Sequence, residues 1–402
     1  MRSRRTTDYV YDRRTMLQNP EAAFERLRAD GDVVWSATMR RWLVVSKAAA
    51  QAALAHPSLH VYDLFRNFDG IQRRTGVDLA ALSRICGWIP FLMDGPRHAI
   101  LRALFARILA EIREPYLEAL EAASRDLLAA IAQRGGGDLA RDYAERLHSE
   151  AIGRMLGFPA EARKWIAEMS SSQGSIDFAA SVTEMRDASR RAGALLARLE
   201  QLVAADAAHP FMARIGAHLL GAGLDDNKQT RIECLTTLLL LGRDTIGGTL
   251  SLGLAHMLDA RGGELSPADW HDGERLSGIG DELIRMSSTV QISIRVAAED
   301  LTLDGQHIGS GDMLMIFLPA ANRDPVAFVA PDRMDARNAP HVAFGGGRHL
   351  CVGMALSRRI VAMALDHIAV LGTMRALPGR VFDESRNTRK YLCLPIALGA
   401  EK

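Results

Sequence analysis

The run Phe344-Gly345-Gly346-Gly347-Arg348-His349-Leu350-Cys351-Val352-Gly353 constrains this chain more than any other stretch. Three consecutive glycines free the backbone to pass close to something flat or bulky. A cysteine follows at once and opens a helical run, Gly353 to Leu371. The unpaired amides of a helix N-terminus favour a thiolate, the form of cysteine that ligates metal. Arg348 and His349 add positive potential beside it. These residues describe a buried thiolate site. The plainer alternative is a structural cysteine after a glycine-rich turn.

The rest of the 402 residues must build a body around that loop. Stretches rich in Ala, Leu, Arg and Glu with helical spacing occupy 20–30, 99–133, 140–156, 180–206, 229–260, 276–287 and 353–371. Strand signals are few and short: Trp42–Ser46, Ser293–Val296, Leu301–Leu303, Met313–Phe317 and Leu392–Leu398. The expected fold is mainly α with small β-sheets. One domain is expected over 1–402, with 1–19 a loosely ordered N-terminal segment. Segment 57–96 mixes aromatic residues with arginines and shows weak periodicity. It reads as an irregular loop, or as a mobile cover over an apolar pocket.

Composition removes several classes. Hydrophobic residues make up 48% and charged residues 24%, ordinary for a folded protein. Basic and acidic side chains nearly balance, 49 against 48, which argues against a nucleic-acid binder. Four cysteines stand singly and form no disulfide framework or structural zinc pattern. The longest central apolar run, Leu238–Leu241, ends at Gly242-Arg243-Asp244, far short of the roughly 20 residues of a spanning helix. The charged start of the chain lacks the apolar core of a signal peptide. A cytoplasmic protein without membrane contact is expected.

The ten-residue cysteine run resembles the haem-binding loop of the cytochromes P450, F-G-x-G-x-H/R-x-C-x-G, at every fixed position. The resemblance implies the cytochrome P450 fold and a haem b held by Cys351 as the proximal thiolate, with Phe344 and Gly345 against the ring. Other stretches agree with it. Glu282-Leu283-Ile284-Arg285 is similar to the family's E-x-x-R, a structural pair at i, i+3 that needs a third partner. Arg333 matches that partner, with Arg337 as an alternative. Ala321-Asn322-Arg323-Asp324-Pro325 and Met93-Asp94-Gly95-Pro96-Arg97-His98 also match. The resemblance implies that His98, Arg102, Arg295 and His349 meet the haem propionates.

Leu241-Gly242-Arg243-Asp244-Thr245 lies within the helix 229–260 and resembles the family's oxygen-activating A/G-G-x-D/E-T, with Leu241 replacing the usual small residue. In that frame Gly242 opens space for dioxygen, while Asp244 and Thr245 deliver protons to it. Positions relative to the motifs give pocket walls of Trp88, Ile89, Thr237, Leu240, Leu241, Val290, Ile292 and Leu394. The implied chemistry is monooxygenation of a medium-sized hydrophobic or aromatic small molecule in secondary metabolism, arriving free or bound to a carrier protein. Electrons come from NAD(P)H through a ferredoxin and a ferredoxin reductase, docking near Arg348, Arg358 and Arg359. Ring formation or oxidative coupling on the same haem is the alternative, and a haem sensor is a further one.

Overall fold

Two long helices carry the architecture of the computed structural model, which describes residues 5–9, 20–171, 181–205, 209–269, 273–334, 340–383 and 388–399. Helices before them are α1 (Pro20–Asp30), α2 (Lys47–Ala55), α3 (Leu64–Thr75) and α4 (Ala80–Cys86). The first long one is α5, Gly95–Gln133. It is followed by α6 (Glu145–Met155), α7 (Ala160–Ser171), α8 (Val182–Ala205) and α9 (Pro210–Gly221). The second long one is α10, Lys228–Ala260. Then come α11 (Gly273–Ser287), α12 (Leu318–Ala321) and α13 (Met354–Ala369).

Helix α10 starts where Asn227 closes a capping box. The Asn227 side chain accepts from the Thr230 amide, and the Thr230 hydroxyl accepts from the Asn227 amide. From Ile232 to Leu258 it is buried nearly all round, as suits a helix through the middle of a core. Its glycines admit the neighbours. A Cβ on Gly247 would lie 2.9 Å from Glu145 Oε1. One on Gly248 would lie 2.3 Å from Thr289 Cγ2, and one on Gly253 would lie 1.6 Å from Leu283 Cδ2. The Gly247-Gly248 pair is therefore a packing device. It brings α6 and the turn after α11 close to the backbone of α10.

The sheets sit at the edges. The largest joins β1 (Thr6–Thr7), β2 (Val33–Ser36), β3 (Arg41–Val44), β10 (Met313–Phe317), β7 (Ile292–Ala297) and β4 (Leu59–Val61), in that order. β10 runs parallel to β3 and antiparallel to β7. A second sheet orders β5 (Gly136–Asp138), β14 (Pro395–Leu398), β11 (Met374–Ala376) and β6 (Glu264–Leu265). Two hairpins complete the set, β8 (Leu301–Leu303) with β9 (Gln306–Ile308) and β12 (Val381–Phe382) with β13 (Tyr391–Cys393). Among the described residues no helix is long and apolar enough to cross a membrane.

The predicted helices and main strands are present, but helices α2, α7 and α9 were not predicted, and two further readings are revised. Segment 57–96 is not an irregular loop: it contains β4, α3 and α4. Strand β2 was invisible because both of its faces are largely buried, which removes the alternation. Of the segment 1–19, residues 5–9 are described and pair with β2 at Thr6↔Trp35; the remainder lies outside the described residues.

Gly253→Ala should overpack the buried contact with Leu283 and lower stability by about 1–3 kcal/mol. Gly221→Ala, with nothing within 4 Å of the new methyl, should be neutral or gain up to about 1 kcal/mol. Thermal unfolding of the two variants checks the contrast.

Candidate active site

The cysteine loop needs its glycines for two different reasons. Gly345 and Gly347 hold φ of +72° and +60°, which other residues rarely adopt. Gly347 also lies against α2, where a Cβ would be 2.5 Å from the Leu54 carbonyl oxygen. The bulky neighbour expected from the triplet is thus a helix backbone. The Cys351 amide donates to the Phe344 carbonyl at 3.0 Å and closes the loop. Burial pushes the Cys351 thiol up, while the Gly353 amide and the Arg102 charge act against that. Cys351 and Phe344 both border a cavity of about 530 Å³.

Arg285 ties this loop to the helices. It is fully buried and forms a two-point pair with Glu282, both bonds at 2.9 Å. Its remaining donors meet the carbonyls of Asn322, Pro331 and Arg333 at 2.8, 2.7 and 3.0 Å. The third partner is therefore a set of carbonyls. Arg333 contributes its backbone, and its side chain is exposed, a correction to the expected side-chain role. Arg337 lies outside the described residues. Asn322 carries the link onward, since its Oδ1 accepts from the Val342 amide at 2.7 Å just before the glycines.

His98, Arg102, Arg295 and His349 all border the same cavity. The His98 and His349 rings lie 4.4 Å apart, centroid to centroid. Asp94 is held at 2.9 Å by His349 Nε2 and at 2.7 Å by Arg348 Nε. Burial alone would raise the Asp94 carboxyl; hydrogen bonds from His349, the Val61 amide and Arg348 outweigh it and hold the group well below the carboxylate range. Burial, aided by the His349 charge, lowers His98. Burial also pushes Arg295 down to about 10. Arg295 Nε and His349 Nδ1 are buried and have no hydrogen-bond partner. Of the three arginines expected at a docking face, Arg348 is occupied by Asp94 and two carbonyls, and Arg358 pairs doubly with Asp281. Arg359 is exposed, with Glu114 at 3.4 Å.

Across the cavity, α10 presents Leu240, Leu241, Gly242, Asp244 and Thr245. Thr245 Oγ1 stays near its own helix, 3.3 Å from the Gly242 carbonyl. Gly242 has a neighbour that sequence reasoning missed. A Cβ there would lie 2.6 Å from Cε1 of His148 on α6. His148 Nε2 donates to the Leu238 carbonyl at 3.1 Å, and its Nδ1 accepts from the Tyr116 hydroxyl at 2.7 Å. Burial, with the Arg243 charge, drives His148 down to about 4, so the ring is neutral near pH 7. Gly242 is glycine because a histidine ring takes the place of its side chain. A histidine surrounded in the sequence by polar and apolar neighbours alike gave no signal for this.

Of the expected pocket walls, Ile89, Leu240, Leu241, Val290 and Ile292 line the cavity. Trp88, Thr237 and Leu394 do not. Trp88 turns to Glu233, to which its indole donates at 2.7 Å. The Thr237 hydroxyl bonds back to the Glu233 carbonyl at 3.0 Å, inside the core. Leu394 is fully buried beside Asp138, which accepts its amide at 2.8 Å. Thr388 is the C-terminal residue that reaches the cavity, and Thr249 and Thr289, with hydroxyls 3.2 Å apart, add a polar edge.

A helical body, an accessible cysteine and an acid–alcohol pair facing one cavity define a class of oxygen-handling metalloenzyme. The comparisons name it. A family profile described as Cytochrome P450 matches residues 276–369. The Vitamin D(3) 25-hydroxylase of Pseudonocardia autotrophica is 29% identical over 96% of this chain and 95% of its own. The cytochrome P450 105A3 of Streptomyces carbophilus is 27% identical over 90% and 88%. Among solved structures, the P450 monooxygenase TamI bound to tirandamycin C superposes with a TM-score of 0.77 at 26% identity, covering 97% of this chain and 99% of its own. P450BioI in complex with an acyl carrier protein gives 0.80 at 22%, covering 96% and 100%. The chain belongs to the cytochrome P450 family and is a monooxygenase, an oxidoreductase that incorporates oxygen from dioxygen. The family implies a haem, and the residues present fit one. A single soft sulfur faces the cavity, and the buried, unpartnered Arg295 Nε–H on its wall asks for an anionic acceptor.

His148 takes a proton only in the unfolded chain between its ordinary value of 6.5 and its folded value of about 4. Its stabilisation is complete above that window and is lost as pH falls through it, by up to about 3 kcal/mol. His148→Ala should therefore flatten the decline of thermal stability on acidification. Gly242→Ala should destabilise the parent by about 1–3 kcal/mol and the His148→Ala background much less. An equal penalty in both backgrounds would remove the proposed reason for the glycine.

Proposed function

We propose that this chain is a haem-thiolate monooxygenase of a medium-sized hydrophobic or aromatic small molecule, acting in secondary metabolism in the cytoplasm. The carrying observation is that Cys351 and the Asp244–Thr245 pair border one cavity whose other lining is mostly apolar. The names of the similar proteins support a small-molecule substrate: one is a Vitamin D(3) 25-hydroxylase and another is a monooxygenase bound to tirandamycin C. The whole chain serves as one domain in this reading.

Cys351 would hold the haem iron as thiolate, and Phe344 and Gly345 would lie against the ring. His98, Arg102, Arg295 and His349 would take its propionates. When bound, the haem supplies dioxygen activation and the oxidation of the substrate. The chain's own residues govern everything around it. The Gly353 amide and Arg102 favour the thiolate against the penalty of burial. Leu240 and Leu241 keep the α10 wall of the cavity apolar and exclude water from it. Asp244 would hold a proton at the edge of the cavity, and the Thr245 hydroxyl beside it would pass that proton inward. Val290, Ile292 and Ile89 orient an apolar substrate, with Thr249, Thr289 and Thr388 as hydrogen-bonding edge. Electrons arrive from NAD(P)H by way of a ferredoxin and its reductase.

The deciding experiment is an optical titration of the ferric protein with terpenes, steroids, polyketide precursors, aromatic amino acids and carrier-bound acyl groups. A low- to high-spin shift by one class, followed by dioxygen-dependent product with a surrogate ferredoxin, is the expected outcome. Gas binding without product from any compound that shifts the spin state would favour a sensor. Cys351→Ala should lose the thiolate-type spectrum of the reduced carbon monoxide complex, and a retained spectrum would refute the ligand assignment. Asp244→Asn should slow product formation roughly a hundredfold, and Thr245→Ala should divert electrons to hydrogen peroxide. Unchanged coupling in the latter would remove the hydroxyl's role.

A further inference from the structure

Three buried charged side chains, Glu145, Arg243 and Lys390, meet the half-buried Asp244 where α6, α10 and the C-terminal segment converge. Lys390 Nζ stands 2.8 Å from both carboxylate oxygens of Glu145 and 3.2 Å from Asp244 Oδ1. Arg243 Nη1 donates to Glu145 Oε2 at 3.1 Å, and its Nη2 donates to Asp244 Oδ1. The Lys390 side chain is wholly inaccessible and that of Arg243 is 1% exposed. Each cation thus touches both carboxylates. The three ammonium protons of Lys390 have three oxygens to meet.

This arrangement bears on the reaction because Asp244 borders the cavity and the other three do not. Both cations hold the Asp244 Oδ1, so a carboxylate that turns further into the cavity leaves them. In most buried pairs that would strand a charge, which is strongly unfavourable. Here both cations also touch Glu145, so Asp244 can turn without leaving either one unpaired. Glu145 itself is anchored, since it opens α6 and packs against the backbone of α10 at Gly247. Lys390 is fixed from the other side. The neighbouring Arg389 amide donates to the Thr289 carbonyl at 2.8 Å, and the Tyr391 amide donates to Ser251 Oγ at 3.2 Å. Thr388, two residues before it, lines the cavity.

We propose that Lys390, with Glu145 as its second anchor, is a positioning residue for Asp244. It sets the direction of that carboxylate and lets it swing toward the cavity without orphaning a buried cation. The inference rests on the reading above that Asp244 moves protons for the reaction. It also makes the C-terminal segment, which lines the cavity at Thr388, part of the apparatus that orients the acid.

The test uses the haem-loaded protein reduced with dithionite, with carbon monoxide as the probe and its infrared stretch as the readout. That band responds to the local field of polar groups facing the bound gas. Because Lys390→Met alone leaves two carboxylates over one arginine and risks misfolding, the main variant is the charge-neutral double Glu145→Gln/Lys390→Met. It should shift the band and alter its pH dependence. Its imidazole affinity, measured by optical titration, should stay within about twofold of the parent. Lys390→Arg should keep the parent band. A folded double variant with the parent band and pH dependence overturns the proposal. So does a band shift accompanied by a loss of imidazole affinity of about tenfold or more, which would mean a collapsed cavity wall. Asp244→Asn separates the two levels. If it leaves the band unmoved, the underlying reading of Asp244 fails; if it shifts the band while the double does not, the role of Lys390 alone fails.

Discussion

The buried guanidinium of Arg285 is the interaction on which the rest of the site depends. One side chain pairs with Glu282 on its own helix and takes carbonyls from three points of the segment leading to the cysteine. Its planar fork of donors is what makes this possible, since a lysine would offer a point charge and no fixed directions. Removing one partner of such a pair typically costs about 3–5 kcal/mol, because a buried charge is left unmet. Through Asn322 the same hub reaches the Val342 amide. The sulfur of Cys351 is thus placed by a chain of hydrogen bonds that begins on α11.

The opposite wall of the cavity is set by a second contact, between one face of α6 and the backbone of α10. Glu145 and His148, one helical turn apart, meet α10 at Gly247 and Gly242. Both glycines exist to admit a polar side chain to the helix, and both contacts fall within the turns that carry Asp244 and Thr245. The neutral histidine fixes the Leu238 carbonyl, and the glutamate fixes two cations around the acid. A cavity that is apolar over most of its surface therefore has a polar skeleton immediately behind it. Low dielectric makes each of those hydrogen bonds stronger and each unmet group more costly.

The two long helices, most of the others, the principal strands and the cysteine loop were legible because they are local. Helical spacing, turn residues and a ten-residue motif are written in consecutive positions. The pocket was only partly legible. Ile89 and Leu240 face the cavity, whereas Trp88 and Thr237, neighbours of such positions, turn away to Glu233. Relative position to a motif fixes the turn of chain but not the direction of a side chain whose alternative partner lies elsewhere. Leu394 illustrates the same limit, since Asp138 holds its backbone and Thr388 takes its place at the cavity.

By itself the sequence determined the fold class, the cysteine loop, the E-x-x-R pair and the Asp244–Thr245 pair on the long helix. Each of these depends on residues within a few positions of one another. Only the tertiary structure decided what stands behind them. His148 reaches Leu238 across 90 positions, and Lys390 reaches Asp244 across 146. Those contacts arise from how α6 and the C-terminal segment pack on α10. Packing depends on shape and burial summed over distant segments, and no local pattern encodes it.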